Sequence, residues 1–232
     1  MAKKQFFAIL DTETTMENTV ADFAIVICDR DGVIHNQCAV IIASEFQAHS
    51  LFYDRTATGL WSLQYAQQKR EGYDRMLESG SRMAGSVAAV NRWINQAIGK
   101  YNPTLTAYNL AFDKSKCANT GIELTGFNSE FCLWQAAVGN ICKTKKFRQF
   151  ALENHAFNRV TEHGNMTFKT SAEMVCGFIR GEYLDEPHTA LEDARDFELP
   201  ILQAVLRKDR WRDKIVAYNW RDFQVKDNFA AK

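Results

Sequence analysis

Four carboxylates and one imidazole, contributed by three separated segments, are the groups in this sequence most able to do chemistry. They belong to Asp11, Glu13, Asp113, His188 and Asp193. Such a set suits a site that holds two divalent cations and activates a water molecule. Each signal is weak alone. The prediction rests on their order, their spacing and their positions at the ends of predicted strands and helices.

The first two acids close a short apolar run. Residues 5–10 are rich in Phe, Ile and Leu, which predicts a buried strand that ends near Asp11. Side chains two residues apart on a strand point to the same face, so Asp11 and Glu13 project together while Thr12 points away. Two carboxylates this close repel each other unless a cation lies between them, and their oxygens favour Mg²⁺ or Mn²⁺. For Asp-x-Glu alone, the alternative is a strand-ending turn with solvated acids.

The third acid lies at a predicted helix start. Asp113 follows a predicted strand and is placed near a helix N-terminus, where the helix dipole favours a carboxylate. Taken alone, it is an ordinary acid in a first turn. Asn109 either orients Asp113, contacts a ligand or caps the helix.

The last predicted helix carries Asp193 in its first turn, and His188 lies on the loop before it. Thr189 and Glu192 form a T-x-x-E pattern, which predicts a capping box at the helix start. An unperturbed imidazole titrates near pH ~6.5, so it can accept a proton from a bound water. The alternative is an ordinary surface histidine on a loop.

Strand-like and helix-like runs together predict an α/β fold. Strands are predicted over 5–10, 22–28, 38–43, 105–108 and 131–134. The Asp-Gly turn at residues 31–32 joins the second and third strands as a hairpin, so the first three strands are antiparallel. Helices are predicted over 61–76, 87–98, 147–157, 171–180 and 191–207, with another starting near Phe112 and a kink at Pro200. The result is a mixed five-stranded sheet flanked by helices.

Three stretches resemble the motifs of the DEDDh (DnaQ-like) 3′–5′ exonucleases, a family that includes polymerase proofreading subunits, ribonuclease T and oligoribonuclease. They are Asp11-Thr12-Glu13, Ala107-Tyr108-Asn109-Leu110-Ala111-Phe112-Asp113 and His188-Thr189-Ala190-Leu191-Glu192-Asp193. The resemblance covers about residues 5–207. A histidine five residues before the last Asp matches the DEDDh branch. The DEDDy branch has Tyr four residues before it, where this chain has Thr189.

The resemblance implies an RNase H-like fold and two Mg²⁺ or Mn²⁺ ions bridged by carboxylates. It implies that Asp11, Glu13, Asp113 and Asp193 are the metal ligands, and that His188 is the general base for the attacking water. The chain departs from the family at residues 131–134, Phe-Cys-Leu-Trp, where many relatives carry an Asp-Thr or Asp-Leu step. That acid is not a metal ligand in the family pattern, so the departure bears on substrate contacts.

Residues beside the motifs are the candidates for substrate contact. They are Thr12, Thr14, Thr15, Met16, Trp61, Asn109 and Phe112. An ordinary loop is the equal alternative for residues 14–16, and helix packing is the alternative for Trp61. A basic stretch over residues 143–148 either grips phosphate with its Phe side chains stacked on bases, or forms a solvated helix face with Phe in the core.

Length and composition restrict the binding partners, the number of domains and the cellular setting that the sequence allows. Lys plus Arg and Asp plus Glu total 28 each, so no global positive field indicates a nucleic-acid partner, although gripping a few nucleotides needs little excess charge. The length predicts a single domain over 1–232, with a core over about 5–207 and a C-terminal extension over 209–232.

Six cysteines without a C-x-x-C pair or a signal peptide predict a reducing, cytoplasmic setting. No apolar run is long enough for a membrane helix.

The expected function is a metal-dependent 3′–5′ exonuclease that releases nucleoside monophosphates from single-stranded DNA ends. Nothing in the sequence reads the ribose 2′-hydroxyl, so an exoribonuclease of the ribonuclease T or oligoribonuclease kind stays open. The alternative from another class is a catalytically silent nucleic-acid-binding module on the same fold. The presence of all five reactive residues argues against it. A homodimer is left open.

Overall fold

A computed structural model describes residues 4–51, 60–159 and 166–225, without the side chains of residues 60–66 and 159. Within these ranges the chain forms a six-stranded mixed sheet with helices on both faces, and a separate two-stranded ribbon. The predicted α/β class is confirmed. No helix in the described part of the chain is long and apolar enough to cross a bilayer.

The strands follow the chain in a simple order. They are β1 (Phe6–Thr14), β2 (Val20–Asp29), β3 (Ile34–Ile42), β4 (Met83–Gly85), β5 (Thr104–Ala107), β6 (Ser129–Cys132), β7 (Phe157–Arg159) and β8 (Met166–Phe168). The order in the main sheet is β4-β3-β2-β1-β5-β6, and β7 pairs with β8. The first three strands are antiparallel neighbours, whereas β5 and β6 run parallel to β1. The predicted antiparallel opening followed by parallel strands is confirmed.

The helices alternate with the later strands. They are α1 (Ala43–Ala48), α2 (Leu60–Glu78), α3 (Val87–Tyr101), α4 (Leu110–Thr120), α5 (Leu133–Ala137), α6 (Lys145–Glu153), α7 (Ala172–Arg180), α8 (Ala190–Glu192) and α9 (Leu199–Leu206). One π-helical turn, Val138–Cys142, follows α5, and a second, Asp193–Glu198, joins α8 to α9. Short 3₁₀ helices lie at Trp211–Lys214 and Trp220–Phe223.

The turn between β2 and β3 forms where the Asp-Gly pair predicts it. Gly32 has a φ of 82°, a left-handed conformation that glycine adopts without strain. The Asp29 carboxylate accepts hydrogen bonds from the amides of Asp31 (2.9 Å) and Val33 (3.1 Å). The predicted hairpin is therefore confirmed, and its turn lies at the opposite end of β2 from the acids of the first motif.

The main sheet separates two cores because successive side chains of a strand alternate between its faces. On β1, Phe7 and Ile9 face the core that α7 and α9 cover, whereas Ala8 and Leu10 face the core that α3 and α4 cover. β2 is buried along its whole length. The central strands are thus held from both sides, which makes the end of β1 a rigid support for side chains.

The prediction of five strands was wrong, because β4 adds a sixth. This strand has only three residues and pairs parallel with the end of β3. A strand of three residues is too short to show the apolar alternation that reveals a strand in a sequence, and its Met83 side chain is 72% exposed. As an edge strand it is held by backbone pairing on one side.

The disturbance expected at Pro200 takes the form of the π-helical turn before α9. Pro200 lies in the first turn of α9 and has no N–H to donate to the carbonyl of Asp196. That carbonyl accepts a hydrogen bond from Arg180 Nη2 at 2.7 Å instead. The widened turn begins at Asp193, and such turns occur often at functional sites.

The C-terminal extension packs onto the core as far as residue 225. Trp211 is buried with its ring centroid 4.9 Å from that of Phe131, and Phe223 is fully buried. Tyr218 stacks between Phe223 and Trp134, with centroid distances of 5.2 and 5.1 Å. These aromatic contacts make the extension part of the core that α7 and α9 cover.

Ile25→Ala should lower the free energy of unfolding by about 2–5 kcal/mol, because it opens a cavity in a strand packed on both faces. Val33→Ala is the control, since Val33 is 54% exposed in the β2–β3 turn and should cost less than about 0.5 kcal/mol. Urea unfolding followed by circular dichroism measures both. Equal losses from the two changes would contradict the burial of β2.

Candidate active site

Asp11 and Glu13 lie near the end of β1, on the face that α9 covers. Asp11 pairs with Ala24 of β2, and Glu13 pairs with Asp22, so both acids sit in regular strand backbone. Both side chains are half-buried. The register shifts directly after Glu13, and β1 ends one residue later. β1 therefore presents two carboxylates on one face at its C-terminal end.

Asp113 is buried in the first turn of α4 and is tied directly to β1. Thr12, on the opposite face of β1 from Glu13, donates a hydrogen bond to Asp113 Oδ1 at 2.8 Å. The strand before α4, β5, also pairs parallel with β1. The second motif is thereby held against the first, and Thr12 orients a carboxylate rather than facing solvent.

Asp193 and His188 come from the segment that crosses the end of the sheet. Asp193 is buried at the start of the π-helical turn, and His188 is exposed with a left-handed φ of 54°. Potential ligand atoms of Glu13, His188 and Asp193 all lie within 4.8 Å of one another. The first and third motifs, 175 or more residues apart in the sequence, therefore meet at one place.

Glu198 is a fifth acid of this cluster that the sequence analysis missed. It is 2% exposed, and its Oε1 accepts a hydrogen bond from the Tyr108 amide at 3.0 Å, at the end of β5. A signal was available in the sequence. Glu198 lies four residues after Ala194 and three before Ile201, so it occupies the buried stripe of the last helix.

Burial and crowding raise the pKa values of these acids. Burial is the main cause at Asp11, whose pKa is held well above its ordinary value, and neighbouring carboxylates add to the effect. Burial likewise raises the pKa of Asp113 to about 7 and the pKa of Asp193 to about 9. Lys69, which forms an ion pair with Glu13, lowers the pKa of Asp193 and so opposes that shift. Without added positive charge, the cluster retains protons near neutral pH.

The cluster has the donor set and the unsatisfied oxygens that a divalent cation requires. One carboxylate oxygen of each of Asp11, Asp193 and Glu198 is buried without a hydrogen-bond partner among the described residues. An unsatisfied buried acceptor costs about 1–3 kcal/mol, which coordination to a cation would offset. Several carboxylates with one imidazole suit Mg²⁺ or Mn²⁺ better than softer metals.

A buried network beneath the cluster fixes the start of α8. Asp22 Oδ2 accepts hydrogen bonds from the Ala190 amide at 3.0 Å and the Tyr73 hydroxyl at 3.1 Å. Arg82 Nε lies 3.7 Å from Asp22 Oδ1, and the same guanidinium forms an ion pair with Glu192. Strand β2, helix α2 and the residue before β4 thus converge on α8, which directly precedes Asp193.

The predicted capping box at the start of α8 is wrong. The Thr189 hydroxyl donates to Glu192 Oε2 at 2.7 Å and accepts no amide hydrogen bond from the helix. The Ala190 amide is satisfied by Asp22 instead, 168 residues away in the sequence. A local pattern cannot reveal this arrangement, because the acceptor comes from a distant strand.

The loop after the first motif is held by its own contacts. Thr14 and Thr15 are buried, and the Thr15 hydroxyl bonds to the Thr19 hydroxyl at 2.7 Å and accepts from the Glu17 amide at 3.2 Å. Met16 is half-buried. Of the three candidate substrate contacts in this loop, Met16 alone has a side chain that is more than marginally accessible.

Asn109 and Phe112 lie beside Asp113 with side chains open to contact. Asn109 precedes α4 with a left-handed φ of 82°, and its carboxamide makes no capping hydrogen bond. Phe112 is 41% exposed, and Lys116 Nζ lies 4.6 Å from its ring centroid. Trp61 falls in the first turn of α2, and its side chain lies outside the described part of the chain.

The basic stretch around α6 is a solvated helix face with Phe in the core, which confirms that alternative. Phe147 is fully buried, and Phe150 packs against Phe178 with ring centroids 5.6 Å apart. Lys143 forms an ion pair with Asp222 at 2.9 Å. Phe147 is therefore unable to stack on a base, and Phe150 packs against the core.

Comparison with known proteins gives no match, either to a family model or to a curated protein. The functional interpretation of the acid cluster consequently depends on the geometry of this chain and on the motif resemblance described above.

Asp22→Ala should lower the free energy of unfolding by about 1–3 kcal/mol, because it leaves the Ala190 amide and the Tyr73 hydroxyl buried without an acceptor. Hydrogen exchange at the Ala190 amide should also become faster. Asp31→Ala is the matched control, since Asp31 is exposed in the β2–β3 turn. Unchanged exchange at Ala190 in the Asp22 variant would contradict the role given to this carboxylate.

The metal-free protein should lose stability as pH rises from about 4 to about 9. The pKa values of Asp113 and Asp193 are about 7 and about 9 in the folded state, above the ~3.9 of an unfolded Asp, so the folded state binds more protons across this window. Added Mg²⁺ should restore more stability at pH 9 than at pH 5. Urea unfolding with EDTA or Mg²⁺ at several pH values tests this.

In the same titration, Asp193→Asn should flatten the pH dependence, because Asp193 has a higher pKa than Asp113. The lowered pKa of Asp29 acts below about pH 4, outside this window, so it does not obscure the trend. A metal-free stability that rises between pH 5 and pH 9 would be the opposite of the expected sign.

Proposed function

We propose that this chain is a metal-dependent 3′–5′ exonuclease of the DEDDh kind with an RNase H-like fold. The observation that carries the proposal is the approach of Glu13, His188 and Asp193 to within 4.8 Å of one another, beside buried Asp113 and half-buried Asp11. The electrostatic interactions of Asp11 with Asp113, Asp193 and Glu13 support the assignment of all five residues to one cluster at the end of β1.

The topology supports the fold assignment. Three antiparallel strands are followed by parallel strands on the far side of β1, and helices cover both faces of the sheet. The first motif lies on the central strand, the second on the helix after β5, and the third on the last long helical segment. This order is the one that the motif resemblance implies.

The carboxylates that would hold two Mg²⁺ or Mn²⁺ ions are those of Asp11, Glu13, Asp113 and Asp193. The carboxylate of Glu198 lies close enough to add a further negative charge to this site. When bound, such ions lower the pKa of a coordinated water and stabilise negative charge on a phosphoryl group. The burial of these carboxylates keeps their geometry fixed, which favours a reaction that depends on position.

His188 has the exposure that a general base requires, because it must meet both water and the substrate end. Its loop position places the imidazole next to Glu13 and Asp193 without burying it. In the proposed reaction, the imidazole takes a proton from the attacking water as the water oxygen bonds to phosphorus. The bond between phosphorus and the 3′ oxygen of the preceding nucleotide breaks, and that oxygen takes a proton from solvent. A nucleoside monophosphate is released.

Asn109, Phe112 and Met16 neighbour the motifs in the sequence, and their side chains are exposed or half-buried. The exposed ring of Phe112 can stack on an unpaired base, and the carboxamide of Asn109 is available to a ligand. We favour single-stranded DNA as substrate, with RNA as the alternative, since none of these groups selects the 2′-hydroxyl. The described cysteines are all free, which fits the reducing, cytoplasmic setting expected from the sequence.

A silent nucleic-acid-binding module is the weaker alternative. Binding a strand requires neither an imidazole beside two carboxylates nor several acids buried against mutual repulsion. Acids concentrated in this way repel a phosphate backbone unless cations are bound. The acid cluster therefore favours a cation-dependent reaction and disfavours strand binding without cations.

The test is hydrolysis of single-stranded DNA and RNA oligonucleotides that carry a label on the 3′-terminal nucleotide. We expect Mg²⁺ or Mn²⁺ to release labelled mononucleotide, EDTA to abolish the release, and a blocked 3′ end to prevent it. Asp11→Asn and Asp193→Asn should remove activity while leaving the fold intact. Metal-independent strand binding without hydrolysis would favour the binding module.

His188→Ala should lower kcat by about 10²–10⁴-fold, because it removes the general base while leaving the carboxylates in place. His155→Ala is a matched control, since His155 is also an exposed histidine with a left-handed φ, at 50°. Single-turnover kinetics at saturating Mn²⁺ measure both. An unchanged kcat in the His188 variant would refute its assignment as the base.

A further inference from the structure

Among the described residues, Lys69 of α2 is the positively charged side chain that reaches into the acid cluster. Its ammonium bonds to Glu13 Oε2, and the two side chains are only 10% and 16% exposed. We propose that Lys69 changes partner: it holds Glu13 in the metal-free protein and contacts a substrate phosphate once divalent cations occupy the cluster. This inference rests on the proposed function and adds a residue from outside the three motifs.

The first step follows from competition for the Glu13 carboxylate. Glu13 contributes to the group with His188 and Asp193, whose potential ligand atoms lie within 4.8 Å of one another. A carboxylate oxygen that accepts a hydrogen bond from an ammonium is not free to bind a cation at the same place. The ammonium and a divalent cation also repel each other, so metal binding at Glu13 favours displacement of Lys69.

Arg82 is a poor substitute for Lys69 as a mobile counter-charge. Its guanidinium is buried between Asp22 and Glu192, where it supports the start of α8. Moving it would leave two carboxylates without their cationic partner. Lys69, in contrast, has one described ion pair and a flexible four-carbon side chain.

The second step follows from how α2 is anchored. Tyr73, one turn after Lys69, is buried and bonds to Asp22, while Arg70 donates to the His49 carbonyl at 2.8 Å. The guanidinium of Arg70 also lies 4.4 Å from the ring centroid of Phe46. The backbone of Lys69 therefore stays beside the cluster when its ammonium is displaced. A phosphate drawn to bound cations then offers the displaced ammonium an anionic partner.

The metal step is tested by Mn²⁺ binding without substrate, followed by electron paramagnetic resonance. Lys69→Met keeps the length of the side chain and removes its charge, so Mn²⁺ should bind about tenfold more tightly. Lys69→Arg should bind Mn²⁺ like the unchanged protein. Lys4→Met is the matched control, because Lys4 pairs with the buried carboxylate of Asp29 at the other end of the sheet.

The phosphate step is tested by fluorescence anisotropy of a single-stranded oligonucleotide at saturating Mn²⁺, in a His188→Ala background that slows hydrolysis. Adding Lys69→Met should weaken strand binding by about tenfold. It should also lower the slope of log affinity against log salt by about 0.7, the value for one lost phosphate contact on a single strand. Lys69→Arg should restore both, and Lys4→Met should change neither.

The two proposals fail separately. The proposed function fails if the unchanged protein binds no Mn²⁺ and if Asp11→Asn and Asp193→Asn leave oligonucleotide hydrolysis unchanged. If the unchanged protein binds Mn²⁺ in the cluster but Lys69→Met binds it no more tightly, the competition is wrong. An unaltered salt slope in Lys69→Met overturns the phosphate contact.

Discussion

Repulsion among carboxylates in a partly buried site is the interaction on which the rest of the molecule depends. Charges held in a low-dielectric interior cost several kcal/mol each unless a counter-charge is near. Asp11, Asp113, Asp193 and Glu198 all have raised pKa values, and burial is the first cause at each. The fold must therefore hold together carboxylates that repel one another, and bound cations or protons neutralise their remaining negative charge.

Rigid neighbours make this arrangement possible. β1 is paired on both sides and packed on both faces, so its two acids cannot move apart. Asp113 is fastened to the same strand by Thr12, and the start of α8 is fastened to β2 by Asp22. The π-helical turn then directs Asp193 and Glu198 from one short segment into the cluster. Both of these long-range hydrogen bonds join a motif to the central strands.

The sequence predicted the features that depend on local patterns. Strand alternation placed Asp11 and Glu13 on one face, and the Asp-Gly pair predicted the β2–β3 turn. Features that depend on distant partners were not predictable. The Lys69–Glu13 pair and the capping of Ala190 by Asp22 join residues 56 and 168 positions apart. β4 was missed because three mostly exposed residues carry no periodic signal.

The most direct measurement of the central claim is anomalous diffraction from crystals grown with Mn²⁺. Two anomalous peaks should lie among the carboxylates of Asp11, Glu13, Asp113 and Asp193, and the Lys69 ammonium should have left Glu13. Mn²⁺ bound elsewhere on the protein, with no peak in the cluster and Lys69 still paired to Glu13, would contradict a cation-holding site.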